Sequence, residues 1–550
     1  MHEAWGVQLV QDSIFERLDS EDLARLAATC TALWDPATDQ LWRNIPCLSV
    51  FLLCLPEGYR QNTILSEHVE RLDRYSAKVR KVHIESSKPA GIPKSMLRFN
   101  KDYGTVSEEA WYRAWDDIAS VRPTTSAFLP NLREIRVHNI REGALVPLVG
   151  TMTGANLTYI RIQNLHYKTP KEIVRNFLES LTDTSKLRYL FVRDGQDGLV
   201  PPKLLEQSPL RQLRLPSRPF ARRSADHQPQ DLVPQILHSP SLENLTLNLT
   251  RDWHSPEIQA MKGRKCLVSL TQLWLDLTTF EPSGCGYPIC AQRDVDGWTC
   301  TTQVHHYRHA RIDPNSATSC PREPPQVFFD FLDRPKLRIL HIKFDSAVSS
   351  DNFTEVIKGV VRNCDLQHLE ELVLGGRSWF WSSDGWDYFP APQIRPHGLQ
   401  QGVRRLLPLP RLHTLRITAA PDFLGRTLEM DLYRDIAAGL PILRTLTVGH
   451  ENFTRFCGWF VETTHYELVP LQNLAAFCSL LPNLETVEVG TIDAEALGAA
   501  WVGDHHEWIS PSITRLDVKR FANEKGNMDR IRHYMAMWFP SSNFADYATI

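Results

Sequence analysis

The chain has 550 residues, with 61 Lys and Arg against 64 Asp and Glu, a formal net charge of -3 and a pI near 6.7. A balance this close to neutral gives no electrostatic case for bulk nucleic-acid or membrane-surface binding, and the longest apolar run, Leu48 to Leu55, is far below the roughly 20 residues a membrane helix needs. The 11 cysteines are odd in number and scattered, and no apolar signal-type stretch follows Met1 to Gln11, so the expectation is an intracellular protein with reduced thiols, cytoplasmic and/or nuclear.

Residues 1–50 read as a small helical module. Leu9, Val10, Ile14 and Leu18 form one short stripe at helical spacing, and Leu23, Leu26, Ala27 and Cys30 form a second. Asp19 or Ser20 is a good N-cap, with Glu21 and Asp22 in the first turn where the helix dipole favours acid. Helices this short cannot enclose a robust core alone, so some of these apolar residues should be available to another surface.

Ile14-Phe15-x-x-Leu18, Asp22-Leu23-x-x-Leu26-Ala27, Thr29-Cys30, Leu33, Pro36 and Leu41-Trp42 together resemble an F-box, of the type found in fungi. The Leu-Pro pair that usually opens that module has no counterpart around Gly6 to Leu9. The resemblance implies docking on the Skp adaptor of an SCF-type cullin-RING ubiquitin ligase. The residues carried over for that contact are Leu9, Ile14, Leu18, Leu23, Leu26, Cys30 and Trp42, some of which would instead hold the module together.

After a linker helix region over 51–78, a short phrase recurs: an apolar residue, two variable ones, an apolar, one variable, an apolar. VRKVHI opens it at Val79, and twelve further copies start at Leu132, Leu157, Leu187, Leu210, Leu242, Leu270, Leu337, Leu369, Leu412, Leu443, Leu484 and Ile513. In seven of these a proline stands two residues earlier: Pro130, Pro240, Pro335, Pro410, Pro441, Pro482 and Pro511. Proline ends a helix and starts extended chain, so it is expected to open each strand. Helical patterns fill several intervals: Lys171 to Leu181, Asp231 to His238, Asn352 to Asn363, Asp431 to Leu440 and Leu471 to Leu481. The fold class expected is an α/β solenoid, an irregular leucine-rich-repeat array of parallel strands backed by helices over 79–520, closed by a capping segment over 521–550. An F-box followed by such repeats covers nearly the whole chain.

Three insertions interrupt the array. The first, near 278–335, holds Cys285, Cys290, Cys300 and Cys320 with His305, His306 and His309. It lacks any C-x-x-C pair and is rich in Gly, Pro, Ser and Thr, so it reads as a loop without metal. The second, near 375–408, carries Trp379 and Trp381 among other aromatic residues, and the third, near 450–470, carries Phe453, Phe456 and Trp459. Aromatic anchors of this kind either contact a substrate or fold back over apolar surface.

No glycine-rich phosphate loop, H-E-x-x-H or G-x-S-x-G occurs. The chain is therefore expected to be non-catalytic and to need no cofactor. Strand register places Glu134, Arg136 and His138, then Tyr159, Arg161 and Gln163, then Tyr189, Phe191 and Arg193, then Gln212 and Arg214 on the concave sheet. An acidic or phosphorylated protein segment would suit that arginine column, and the substrate-contact candidates are Arg136, Arg161, Phe191, Arg214, Trp379 and Trp381. Two functions remain open: substrate-recognition subunit of an SCF-type ligase, bound to a Skp adaptor and through it a cullin, or a repeat scaffold that binds partners without ubiquitin chemistry.

Overall fold

The computed structural model describes residues 13–29, 31–45, 50–51, 54–55, 66–85, 127–138, 156–163, 171–181, 183–192, 199–215, 236–237, 239–248, 264, 266–276, 326–344, 350–376, 396–417, 430–449, 469–493, 508–522 and 528–542. The repeated phrase opens in the same way at most of its copies. Its first apolar residue closes a tight turn: the Leu132 N–H donates to the Leu129 carbonyl, Leu412 to Leu409, Leu443 to Leu440 and Leu484 to Leu481. Pro130, Pro410, Pro441 and Pro482 each occupy the second position of that turn, where a fixed φ near -65° is favourable. Proline thus shapes the turn, and the strand begins four residues later, at Glu134, Thr414, Thr445 and Thr486, rather than at the proline itself.

The strands are β1 (Asn44–Ile45), β2 (Lys81–Glu85), β3 (Glu134–His138), β4 (Tyr159–Gln163), β5 (Tyr189–Val192), β6 (Gln212–Arg214), β7 (Asn244–Asn248), β8 (Gln272–Asp276), β9 (Ile339–Phe344), β10 (Glu371–Gly376), β11 (Thr414–Ile417), β12 (Thr445–Val448), β13 (Val469–Pro470), β14 (Thr486–Asp493) and β15 (Arg515–Ala522). Among the described residues they form one 15-stranded parallel sheet in chain order, except that β13 and β15 both pair with β14. This is the expected α/β solenoid.

Register is one-to-one from strand to strand. Ile135, Ile160, Leu190, Leu213, Leu245, Leu273, Leu340, Leu372, Leu415, Leu446, Val487 and Leu516 fall in one row. No member of it is more than 3% exposed. Burying each such side chain contributes about 1.5–3 kcal/mol.

Helices cover the buried face: α1 (Ser20–Thr29) and α2 (Thr31–Arg43) in the first module, then α3 (Ser66–Ser76), α4 (Lys171–Glu179), α5 (Pro202–Gln207), α6 (Gln326–Asp330), α7 (Ser350–Asn363), α8 (Pro396–Leu406), α9 (Met430–Ala438), α10 (Leu471–Ser479) and α11 (Met528–Trp538). In α7 the buried Phe353, Val356, Ile357 and Val360 recur at helical spacing and face the strands. One contiguous apolar core runs from Ile45 to Phe539.

Several boundaries move for that reason. Within 51–78 the described residues include helix α3, and Phe51, Cys54, Leu55, Val69 and Leu72 belong to the same core as the strand leucines. The expected insertions also shrink. Residues 326–335 include α6 and the bridge of Cys266 to Leu332, with Phe328, Phe329 and Phe331 fully buried. Residues 396–406 are helix α8, and Val469–Pro470 are strand β13. The remaining stretches, 277–325, 377–395 and 450–468, lie outside the described residues, and so do the Cys/His cluster, Trp379 and Trp381.

Successive helices approach closely at glycines. A Cβ on Gly359 of α7 would stand 2.4 Å from the Phe329 ring, and one on Gly402 of α8 would stand 2.6 Å from the Phe353 ring. Leu372→Ala is therefore expected to destabilise by about 2–5 kcal/mol, and Gly359→Ala by about 1–3 kcal/mol through overpacking, both read from urea unfolding. Because each repeat contacts only its neighbours, amide exchange should accelerate first in β9 to β11.

Candidate functional site

Two surfaces are candidates, one on the N-terminal module and one on the open face of the sheet. In the module, the Asp19 carboxylate accepts from the N–H groups of Glu21 (2.9 Å) and Asp22 (2.8 Å), capping α1. Phe15, Leu23, Ala27 and Ala37 are buried where α1 packs on α2. Ile14, Leu18, Leu26, Leu33 and Trp34 are only half-buried, and a shallow hollow of about 500 Å³ opens between Ala27, Ala28, Thr29, Thr31 and Trp34.

The module is joined to the array by a dense contact. Trp42 stacks on Tyr75 with ring centroids 4.6 Å apart and tilts against Phe51 at 5.5 Å. Lys78, its side chain only 13% exposed, pairs with Asp39, reaches Asp35 Oδ1 and Thr38 Oγ1 at 3.4 Å each, and lies over the Trp34 ring. The Arg80 N–H donates to the Arg43 carbonyl at 2.9 Å, and β1 pairs with β2, so α2 runs straight into the sheet.

Of the adaptor candidates, Ile14, Leu18 and Leu26 reach the surface, whereas Leu23 is in the module's interior. Trp42, half-buried, lies at the joint with the array between Tyr75 and Phe51. Leu9 and Cys30 lie outside the described residues.

On the open face, register aligns His83, Arg136, Arg161, Phe191, Arg214, Thr246, Trp274, His341, Val373, Arg416, Thr447, Glu488 and Asp517 in a single row. The row and its neighbour are laced by flat groups. The Arg136 guanidinium lies 5.6 Å from the Tyr159 ring, and Tyr159 stacks on Tyr189 at 4.1 Å with planes 1° apart. Arg161 lies 5.4 Å from the Phe191 ring, and Arg214 lies 4.5 Å from the Trp274 ring. Trp274 in turn stacks on His341 at 4.5 Å, and His341 Nε2 is 3.1 Å from Glu371 Oε1. Strand spacing near 4.8 Å is what makes such stacking possible.

The structure therefore brings Arg136, Arg161, Phe191 and Arg214 onto one surface. Trp274, His341 and Arg416 were missed as members of it, although each stands at the same position of its phrase as Arg136 does. Arg136 is paired with Glu134, and the Arg161 Nε–H donates to Gln163 at 2.8 Å. Among the described residues neither Arg161 nor Arg214 has a carboxylate within ion-pair distance.

Along the edge of the same face Arg80, Arg133, Arg188 and Arg211 follow one another, interrupted by Thr158, in a ladder of backbone bonds. Burial first, then the neighbouring Arg133 and Arg43, holds the Arg80 pKa below its ordinary value. From β9 onward the edge charges alternate and pair, as in Arg338 with Glu370 (2.9 and 2.8 Å) and Arg444 with Glu485 (3.6 Å). Arg211 likewise stands 3.7 Å from Glu243, so among the described residues the run of like edge charges covers only Arg80, Arg133 and Arg188.

Among the described residues no group of His, Cys, Asp and Glu is arranged to hold a metal ion, and no helix is long and apolar enough to cross a membrane. Burial pushes the Cys54 and Cys364 thiols up to about 12, which makes them poor nucleophiles.

His341 carries a pH consequence. Burial, partly offset by Glu371, holds its pKa below the ordinary 6.5, with Lys343 and Arg416 adding to the lowering. The unfolded chain then takes up the proton first, so the stability from a neutral His341 is present above about pH 6.5 and lost as pH falls below it. Urea unfolding at about pH 7.5 and about pH 5 should show a smaller acid loss for His341→Asn than for the unaltered chain.

No protein-family model matches the sequence, and no curated protein matches it. Among solved structures, the leucine-rich repeat-containing protein LegL7 from Legionella pneumophila aligns at 10% identity over 77% of this chain and 93% of its own, with a TM-score of 0.26. A chain of the Rad7 and Elc1 complex in yeast aligns at 13% identity over 83% of this chain and 92% of its own, with a TM-score of 0.35. Superpositions this loose transfer no partner and no role; the sheet's own pairing establishes the leucine-rich-repeat type of α/β solenoid.

Proposed function

We propose that this chain is the substrate-recognition subunit of an SCF-type cullin-RING ubiquitin ligase. Its F-box-like module docks on a Skp adaptor, and through it a cullin, while the open face of the sheet holds a protein substrate. The observation that carries the reading is the module's half-exposed apolar set among the described residues, Ile14, Leu18, Leu26 and Leu33, on helices anchored to the array at Lys78 and Trp42. Half-exposed apolar side chains on so small a unit are an interface in waiting. Anchoring then fixes the direction in which a bound substrate is presented to the rest of a ligase. The role needs no catalytic residue and no cofactor in this chain.

Co-expression with a Skp adaptor and capture through a tag on the adaptor tests it. The double variant Ile14→Asp and Leu26→Asp should lose co-purification by on the order of tenfold or more, since both place a charge in the contact. Arg161→Gln, far along the sheet, should leave it unchanged. Full capture of the double variant, with unaltered circular dichroism, would remove the ligase reading and leave a repeat scaffold without ubiquitin chemistry.

A further inference from the structure

We infer that Lys78 is a positioning residue, rooted in the array, that sets the angle of α1 and α2 and with it the direction in which a substrate on the open face is presented. This deepens the ligase reading and rests on it only for that last consequence.

The contacts between α2 and the array fall into two groups. Trp42 with Tyr75 and Phe51, the Arg80 N–H with the Arg43 carbonyl, and β1 with β2 all lie at residues 42–45, the C-terminal end of the helix. Contacts at one end hold a pivot and leave the rest of a helix free to swing about it. Among the described residues, the hydrogen bonds and ion pairs that reach further along α2 from the array all come from Lys78. Its ammonium pairs with Asp39, stands 3.4 Å from Asp35 Oδ1 and from Thr38 Oγ1, and lies 5.5 Å from the centre of the Trp34 ring. Asp35 and Asp39 are one turn apart on the same side of the helix, so one ammonium reaches both. Helix rise puts them about 12 Å and about 6 Å from Arg43, well away from the pivot.

The helix is weakest at this place. Pro36 stands inside α2 and has no N–H to donate, so one backbone bond is missing between the residues that Lys78 touches before it, Trp34 and Asp35, and after it, Thr38 and Asp39. The base of Lys78 is fixed in turn. Its N–H donates to the Tyr75 carbonyl at 3.0 Å, and the adjacent Ala77 carbonyl accepts from Arg80 Nη1 at 3.2 Å and from Asn131 Nδ2 at 2.8 Å. Asn131 belongs to the turn that opens β3, so the root of Lys78 is tied to the next repeat. Several acceptors and a ring around one ammonium, its side chain only 13% exposed, constrain it more than a single exposed ion pair would. Because α1 packs on α2, the surface that carries Ile14, Leu18 and Leu26 turns with α2.

The test is single-molecule energy transfer on the full chain, with dyes on ketone-bearing residues in place of the exposed Arg25 of α1 and Arg211 at the sheet edge. The unaltered chain should give one narrow distance distribution. Lys78→Met should broaden it by on the order of twofold or more with circular dichroism unchanged. The double variant Asp35→Asn and Asp39→Asn, which keeps Lys78 and removes its partners, should broaden it as well, and it decides the matter if Lys78→Met does not fold. Lys78→Arg, which keeps the charge, should restore the narrow distribution. An unchanged width in the folded variants, or equal broadening with Lys78→Arg, would overturn the inference. Capture by a tagged Skp adaptor should be the same for Lys78→Met as for the unaltered chain. Capture lost only in the variant would also overturn the positioning role, whereas capture absent from both removes the ligase reading and leaves the distance result to stand.

Discussion

A parallel strand of four or five residues cannot bury its own leucines or satisfy its own backbone, so every repeat depends on the one before and the one after. The row from Ile135 to Leu516 is the physical form of that dependence, with neighbours in contact and none appreciably exposed. Backbone ladders and side-chain rows then share a single register. Whatever occupies a given position of the phrase is placed beside its counterparts in the adjacent strands.

The chemistry of the open face follows from this. Counterparts on adjacent strands are separated by one strand spacing, close to the distance at which flat groups stack, as Tyr159 does on Tyr189 and Trp274 on His341, while Arg214 reaches past Thr246 to the Trp274 ring two strands away. Stacking along the row orients the guanidinium groups at little cost in side-chain entropy at the moment of binding. Toward the C-terminal strands the same position holds Thr447, Glu488 and Asp517, and Thr447 Oγ1 donates to Glu488 at 3.1 Å. The face is therefore polarised from cationic to acidic along one sheet.

An open array needs covers at its ends, and both are built from aromatic residues. At the start, Trp42, Phe51, Tyr75 and Phe128 close the core and join it to α1 and α2. At the end, Tyr534 and Trp538 of α11 pack together with Trp508. The first helical module is consequently a fixed extension of the array and not a tethered domain.

The sequence by itself determined the repeat, the parallel sheet and which residues alternate inward, because strand periodicity of two is written directly in the phrase. It also marked Arg136, Arg161, Phe191 and Arg214, which share one phrase position. Only the tertiary structure decided where the array begins and ends. Phe51, Leu72, Phe329 and Val403 have no strand phrase around them, and their membership of the core depends on helices meeting strands far away in the chain. It likewise decided that Trp42 faces Tyr75, that Trp274 and His341 complete the arginine row, and that Gly359 yields to Phe329. Local pattern sets the direction of a side chain; its neighbour across a repeat is set by packing, which no short stretch of sequence contains.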